Sequence, residues 1–111
     1  MTLDSRYEIV RSLLKKTQEE KIEWEVGPLT DSFYCKVGEH SVAIRLIRDD
    51  YFLVLHNADG EEIEEISDPE FRNAGYGDAF RVMGDLYIAA RRNALGTEKI
   101  VNDILSQLEQ K

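Results

Sequence analysis

The sequence predicts an α+β fold with an N-terminal helix, a four- to five-stranded antiparallel meander and two C-terminal helices packed on the sheet. Apolar residues recur at helical spacing on both sides of a central block, residues 21–66, in which strand-like segments alternate with turns. The connections inside that block are short, which favours antiparallel pairing of consecutive strands. With 111 residues, 42% of them hydrophobic, the chain fits one domain over residues 1–111 with a packed core.

The first predicted helix extends from Asp4 to Glu20. Asp4 or Ser5 can cap its N-terminus, because a short side chain with an oxygen accepts a hydrogen bond from a free backbone N–H group. No proline interrupts the segment. Its apolar face is formed at helical spacing by Tyr7, Val10, Leu13, Leu14 and Thr17.

Five strand-like segments follow the first helix. They are Ile22–Val26, Phe33–Val37, Ser41–Arg48, Tyr51–His56 and Glu61–Ile66. The tetrapeptide 57–60, with glycine last, predicts a hairpin turn between the final two segments, since glycine accepts a positive φ. Ile63 and Ile66 cannot share a face under strict alternation. The last strand is therefore expected to carry a bulge or to end early, and its four glutamates favour a charged edge strand.

The middle strands are apolar on both faces. In the third strand, for example, Val42 and Ile44 alternate with Ala43. An antiparallel sheet with one face in water should alternate apolar and polar residues instead, as the first strand does. We therefore expect both faces to be at least partly covered, one of them by helices of this chain. Trp24 is expected in the core.

The segment from Ser67 to Gly77 has no periodicity and is predicted to be a loop. Asp78 then caps a second helix, 78–94, whose predicted apolar stripe is Phe80, Met83, Tyr87, Ala90 and Ala94. Gly84 inside that helix indicates a close approach to another element, because glycine costs about 1 kcal/mol relative to alanine there. Gly96 ends it, and Thr97 caps a third helix carrying Ile100, Val101, Ile104, Leu105 and Leu108.

The net charge of −8 is concentrated in the strand block and the segment after it. Residues 22–77 contain four basic and thirteen acidic side chains. Nucleic acid and anionic membrane surfaces attract clustered Lys and Arg, so both are disfavoured as partners. The amino terminus lacks the apolar stretch of a signal peptide, and no apolar segment is long enough to span a bilayer. A cytoplasmic location is expected.

No catalytic residue, cofactor or metal ligand set is predicted. His40 and His56 lie near turns and lack the spacing of a zinc site. Cys35 is single, lies in a strand and is expected to be an inert, partly buried thiol. The paired carboxylates of Asp49 and Asp50 are expected at the end of the sheet opposite to Asp59, which argues against a shared acid–base site.

The first functional hypothesis is a small, acidic, non-enzymatic interaction module: an adaptor, a chaperone, or an immunity or antitoxin-like inhibitor. Its acidic strand block would attract a basic protein partner and an apolar sheet face would supply affinity. A homodimer through the sheet face of Phe52 and Val54 is a related possibility. The candidate interaction residues are Phe52, Val54, Glu61, Glu62, Glu64, Glu65, Phe71 and Tyr76.

The alternative hypothesis is a small-molecule-binding domain or enzyme with a pocket between the sheet and helix 78–94. Its candidate lining residues are Tyr34, Tyr51, His56 and Tyr87. Phe71 and Tyr76 have an alternative role as well, as a lid tucked onto the sheet of their own chain.

Overall fold

The computed structural model describes residues 3–111; residues 1 and 2, part of the amino terminus in which no signal peptide is expected, lie outside this range. The elements in chain order are α1 (Asp4–Gln18), β1 (Glu25–Val26), β2 (Ser32–Val37), β3 (His40–Ile47), β4 (Asp50–His56), β5 (Glu62–Ser67), α2 (Asp68–Asn73), α3 (Ala79–Ala94) and α4 (Thr97–Glu109). The predicted α+β class is confirmed: an N-terminal helix, a five-stranded antiparallel sheet and C-terminal helices.

The sheet is a meander in which every strand pairs antiparallel with the next, in the order β1-β2-β3-β4-β5. Of the predicted first strand, 22–26, only its last two residues pair. The expected irregularity in β5 is a bulge: Leu55 pairs with Glu64 and His56 with Glu62, which leaves Ile63 as the extra residue. β5 is an edge strand, as its charge predicted.

One face of the sheet forms the core with the helices. A cross-strand row on this face consists of Phe33, Ile44, Leu53 and Ile66, all buried. α3 packs across β1 to β4, α2 packs on β4 and β5, and α1 packs beside α3. Most of the predicted stripe of α1 is buried here, and so is Trp24. All the helices of the core therefore lie on the same side of the sheet.

Two hydrogen-bonded contacts join α1 to the rest of the helical layer. Near its N-terminus, the Tyr7 hydroxyl donates to Asp78 Oδ1 at 2.6 Å. Beyond its C-terminus, the Trp24 indole donates to Thr17 Oγ1 at 2.9 Å and the Trp24 backbone N–H donates to Asn93 Oδ1 at 2.6 Å. The two ends of α1 are thus tied to the two ends of α3.

Three predicted helix caps are wrong: no side chain caps α1, α3 or α4, and Thr97 is the first residue of α4, whose N-cap residue is Gly96. Asp4 is the first residue of α1. The N-cap position is occupied by Leu3, and no side-chain hydrogen bond caps the helix there. Asp78 precedes α3, but its carboxylate makes no capping bond and accepts from Tyr7 instead. Asp78 therefore connects two helices that are distant in sequence, which a local pattern does not reveal.

The segment predicted as a loop, 67–77, contains the short helix α2. The Ser67 hydroxyl accepts from the Glu70 backbone N–H at 3.3 Å, and the Glu70 carboxylate accepts from the Ser67 backbone N–H at 3.2 Å. This reciprocal arrangement is a capping box, and Pro69 is favourable in the first helical turn. The sequence Ser-Asp-Pro-Glu contains this signal.

The predicted close approach at Gly84 is confirmed. A Cβ atom added to Gly84 would lie 3.3 Å from two atoms of the Tyr51 side chain, one ring carbon and the hydroxyl oxygen. The same ring packs against Phe80 and Tyr87, with centroid distances of 5.4 and 5.6 Å. Gly84 therefore sets how closely α3 approaches β4.

α4 differs from the other helices because it contains no buried residue. Its main contact is with α3, from which it turns away at Gly96, a residue with φ of 64°. The described chain measures 58 × 33 × 26 Å, and its Cα radius of gyration of 15.4 Å exceeds the roughly 13 Å of a compact chain of this length. α4 accounts for this elongation as an arm beside the body.

Among the described residues, no helix combines the length and apolarity needed to cross a membrane.

We predict that Tyr7→Phe destabilises the fold by about 1–2 kcal/mol at pH 7, because it removes the hydrogen bond to a carboxylate. That bond is the largest cause that holds the pKa of Asp78 below its ordinary value. A lowered carboxyl pKa stabilises the fold above the unfolded-state pKa, and this contribution is lost as the pH falls through the folded-state pKa.

The difference between wild type and Tyr7→Phe should therefore narrow below about pH 4. Urea unfolding at pH 7 and at acid pH measures it. Tyr76→Phe is the matched control, since the Tyr76 ring stacks on Tyr7 at 4.5 Å while the described residues offer its hydroxyl no hydrogen-bond partner. Equal losses for the two variants would contradict the assigned role of Asp78.

We further predict that Gly84→Val destabilises the fold by about 2 kcal/mol, because the added side chain forces Tyr51 and the α3 backbone apart. Asp85→Val introduces the same side chain at the next, exposed position of the helix and should cost less than about 1 kcal/mol. Thermal or urea unfolding compares the two. A similar cost at both positions would contradict contact with Tyr51 as the reason for the glycine, because helix propensity alone favours valine over glycine.

Candidate functional site on the open face of the sheet

The second face of the sheet carries no helix. Its side chains form three cross-strand rows, which we call the open face: Tyr34, Ala43, Val54 and Glu65; Ser32, Arg45, Phe52 and Ser67; and Lys36, Ser41, His56 and Glu62. Ala43 and Val54 at its centre are buried, although no helix covers them. The longer side chains around them provide this cover, so the open face is an apolar floor surrounded by polar groups.

A pocket of about 210 Å³ lies in this face. Its floor is Ala43 and Val54, and Pro28 and Leu29 of the β1–β2 connection form one wall. The Gly27 backbone N–H donates to the Ser32 carbonyl at 2.7 Å, which folds this connection back towards β2. The remaining wall is polar and consists of Ser32, Tyr34, Ser41, Arg45, His56 and Glu62.

Two nitrogen atoms in the pocket wall are buried and make no hydrogen bond within the described part of the chain: Arg45 Nε and His56 Nδ1. The Arg45 side chain is only 19% exposed, and its Nη1 lies 3.4 Å from Glu65 Oε2. That contact uses one donor of a guanidinium group that has five. The guanidinium group therefore has further donors, so the pocket is suited to a group that brings an acceptor oxygen.

Carboxylates surround the pocket. Glu62 lies in its wall, Glu65 contacts Arg45, and Glu25 of the neighbouring strand lies opposite Tyr34. A hydrogen bond to the Glu25 carboxylate is the main cause that raises the pKa of Tyr34 above its ordinary value. The open face therefore combines a donor-lined pocket with a negatively charged rim.

Of the apolar residues proposed from the sequence, Phe52 is half-buried on the open face and Val54 is its buried floor. Phe71 is completely buried between the helices and the sheet, where its ring lies 5.0 Å from that of Tyr7. Tyr76 is half-buried and stacks on the same ring. Phe71 and Tyr76 thus pack within their own chain, and Phe71 offers no surface to a partner.

The four proposed glutamates point in different directions. Glu64 faces α1, where its Oε1 lies 2.7 Å from Arg6 Nε, whereas Glu62 and Glu65 belong to the open face. Glu61 precedes β5 and accepts from the Asn57 side-chain amide at 3.1 Å. The acidic strand is therefore not one continuous surface, and only part of its charge surrounds the pocket.

The tyrosines and histidine of the alternative pocket are separated by the sheet. Tyr51 and Tyr87 are on the helix side, with ring centroids 5.6 Å apart, and Tyr34 and His56 are in the open face. The space between the sheet and α3 is filled by packed rings and by the close approach at Gly84. The structure does not bring these four residues into one site.

The described residues contain no group of three or more His, Cys, Asp or Glu side chains that could hold a metal ion. Cys35 lies in β2 on the helix side and is 1% exposed. Burial raises the pKa of its thiol to about 12. At neutral pH this thiol is protonated and inaccessible.

Sequence reasoning missed Arg45 and Ser41 as site residues. A signal for Arg45 was present, because it is the only charged residue within the apolar run from Val42 to Ile47. A long cationic side chain in the middle of a sheet has to lie along the surface, where its stem covers apolar neighbours. The role of Ser41 depends on the register with β4 and had no local signal.

Comparison of the chain with protein-family models, with curated proteins and with solved structures finds no match.

We predict that Cys35 reacts with a thiol reagent such as Ellman's reagent only after unfolding. In the native protein at pH 8 the thiolate is suppressed by its raised pKa and shielded by the core. Labelling should therefore follow the unfolding transition in urea and reach one thiol per chain. Rapid labelling of the native protein would show that β2 opens locally or that the thiol is accessible.

Proposed function

We propose that this protein is a non-enzymatic interaction module that binds a basic polypeptide partner across the open face of its sheet. The observation that carries the proposal is the open-face pocket, in which an apolar floor of Ala43 and Val54 is bordered by the guanidinium group of Arg45. The Arg45 guanidinium group has donors beyond its contact with Glu65, and a main-chain carbonyl or a carboxylate of a partner supplies an acceptor for them.

The size of the pocket supports a protein partner. Small-molecule sites typically enclose about 300–1,000 Å³. The open-face pocket, at about 210 Å³, is smaller and suits one anchoring group of a larger molecule. In protein interfaces a few anchors that fill such pockets carry most of the binding energy.

The charge of the rim supports a basic partner. Glu25, Glu62 and Glu65 border the pocket, and the whole chain carries a net charge of −8. Complementary charge accelerates the encounter of two proteins and disfavours acidic competitors. Binding should therefore weaken as salt is added, since the rim carboxylates are partly exposed to solvent.

The experiment begins with capture of binding proteins from a lysate of the source cells at low salt. A retained protein is then purified and its dissociation constant is measured by calorimetry against wild type and three variants. Ser41→Phe fills the pocket with a side chain that strands tolerate well, and Glu62→Lys reverses one charge of the rim. Asp85→Lys makes the same charge change on the exposed side of α3.

We expect Ser41→Phe to raise the dissociation constant at least about tenfold, because the anchoring group is displaced. Glu62→Lys should slow association and reduce its salt dependence. Asp85→Lys should bind as wild type does. A partner that binds all four proteins equally would refute the open face as its binding surface.

The small-molecule hypothesis predicts a different result. In that case a metabolite panel would raise the melting temperature of the wild type, and Ser41→Phe would abolish the shift. Protein capture would then be empty at low salt as well as at high salt. This pattern would replace the interaction module with a ligand-binding domain.

A further inference from the structure

α4 presents an uncovered apolar surface. Its five aliphatic side chains are 41–60% exposed, and together they form one stripe of the helix: Ile100, Val101, Ile104, Leu105 and Leu108. The helix has 13 residues, which is about 20 Å of length. A helix this short is only marginally stable in water unless it packs on another surface, so we expect the stripe to pack against a complementary apolar surface.

A second uncovered apolar surface lies on the side of α1 that faces away from α3. We call it the trough. It measures about 580 Å³, and its apolar walls are Ile9, Leu13, Val37, Val42, Leu55 and Ile63. Ile63, the bulge residue of β5, is 62% exposed there. Glu8, Lys16 and His40 provide a polar rim.

The stripe and the trough match in pattern and size. Val101, Ile104, Leu105 and Leu108 follow the spacing i, i+3, i+4, i+7 by which amphipathic helices anchor in apolar grooves. An engineered cavity of about 150 Å³ holds one benzene molecule, so a trough of about 580 Å³ accommodates three or four aliphatic side chains. The chain thus carries both halves of a helix-in-groove contact.

The two halves do not meet within one chain. No α4 residue lines the trough or is buried. At the start of α4, Arg92 of α3 pairs with Glu98. Because α4 projects from the elongated body, its stripe is available to a neighbouring molecule.

We propose that a second copy of this chain covers both surfaces, with α4 of each copy lying in the trough of the other. The area that a stable interface buries favours a dimer in which both copies exchange α4. A stable interface buries about 800 Å² per partner, which is more than one short helix stripe provides. In an exchanged dimer each copy contributes a helix and a trough, so the two-fold axis generates the contact twice and closes the assembly.

This inference rests on observations other than those behind the proposed partner site, and the trough adjoins the open-face pocket at Ser41 and His56, which line both. It also differs from a dimer through Phe52 and Val54, which would cover the open face. Mutations in α4 are suitable probes, since no residue of this helix belongs to the core.

The test is the mass of the full chain in sedimentation velocity from low to high micromolar concentration. We expect wild type to have twice the chain mass of 12.8 kDa. Ile104→Glu places a charge in the stripe and Ile63→Lys places one in the trough. Each variant alone should raise the dimer dissociation constant at least ~100-fold, since a charge without a partner is costly in an apolar contact. Ser106→Glu, on the opposite side of α4, is the matched control and should remain dimeric.

Mixing the two monomeric variants identifies the exchange. In a mixed dimer, the unchanged α4 of Ile63→Lys meets the unchanged trough of Ile104→Glu, and the other contact pairs a glutamate with a lysine. Dimers should therefore return on mixing. Retention of the dimer by Ile63→Lys would mean that α4 pairs with α4 and would overturn the exchange. A wild type that is monomeric at every concentration would overturn the proposed dimer. Closure of α4 onto the trough of its own chain would give this result.

Discussion

The packing of α1 beside α3 on one face of the sheet is the constraint on which the rest of the structure depends. The contact is closed at one end by Tyr7 and Asp78 and at the other by Trp24, Thr17 and Asn93. Both helices use the same sheet face, so the meander has one face in the core and one face without a helix. The location of every candidate binding surface follows from this one-sided arrangement.

The one-sided layer explains how an apolar strand block can stay folded with an open face. Val54 and Ala43 point away from the helices and are nevertheless buried, because Arg45 and other long side chains lie over them. This cover is incomplete at the pocket, beside which Arg45 Nε and His56 Nδ1 are buried and make no hydrogen bond within the described part of the chain. The same layer ends at the outer side of α1, where the trough begins, and α4 lies outside it. The open-face pocket and the trough adjoin at Ser41 and His56, which line both.

Ion pairs within the chain use part of the negative charge of the acidic strand block. Glu64 contacts Arg6 across the helix layer and Glu65 contacts Arg45 on the open face. Such pairs reduce the field of the strand and use its charge to orient α1 and the guanidinium group. Partly exposed ion pairs contribute little to stability, on the order of 0–1 kcal/mol, so their main effect here is positional. Glu25 and Glu62 remain as the other carboxylates at the rim of the pocket.

The sequence by itself determined the elements that depend on local patterns. The helical stripe of Tyr7 to Thr17, the meander with its short turns, the irregular β5 and the close approach at Gly84 all follow from periodicity or from the conformational cost of one residue. The capping box of α2 was also present in the sequence. Only the tertiary structure decided that Asp78 binds Tyr7, that Tyr34 and Tyr51 lie on opposite faces, and that α4 stays outside the core. The physical reason is that an apolar stripe or a carboxylate indicates locally that it needs a partner. Which residue becomes that partner depends on strand register and on helix packing, and these are set by the whole fold.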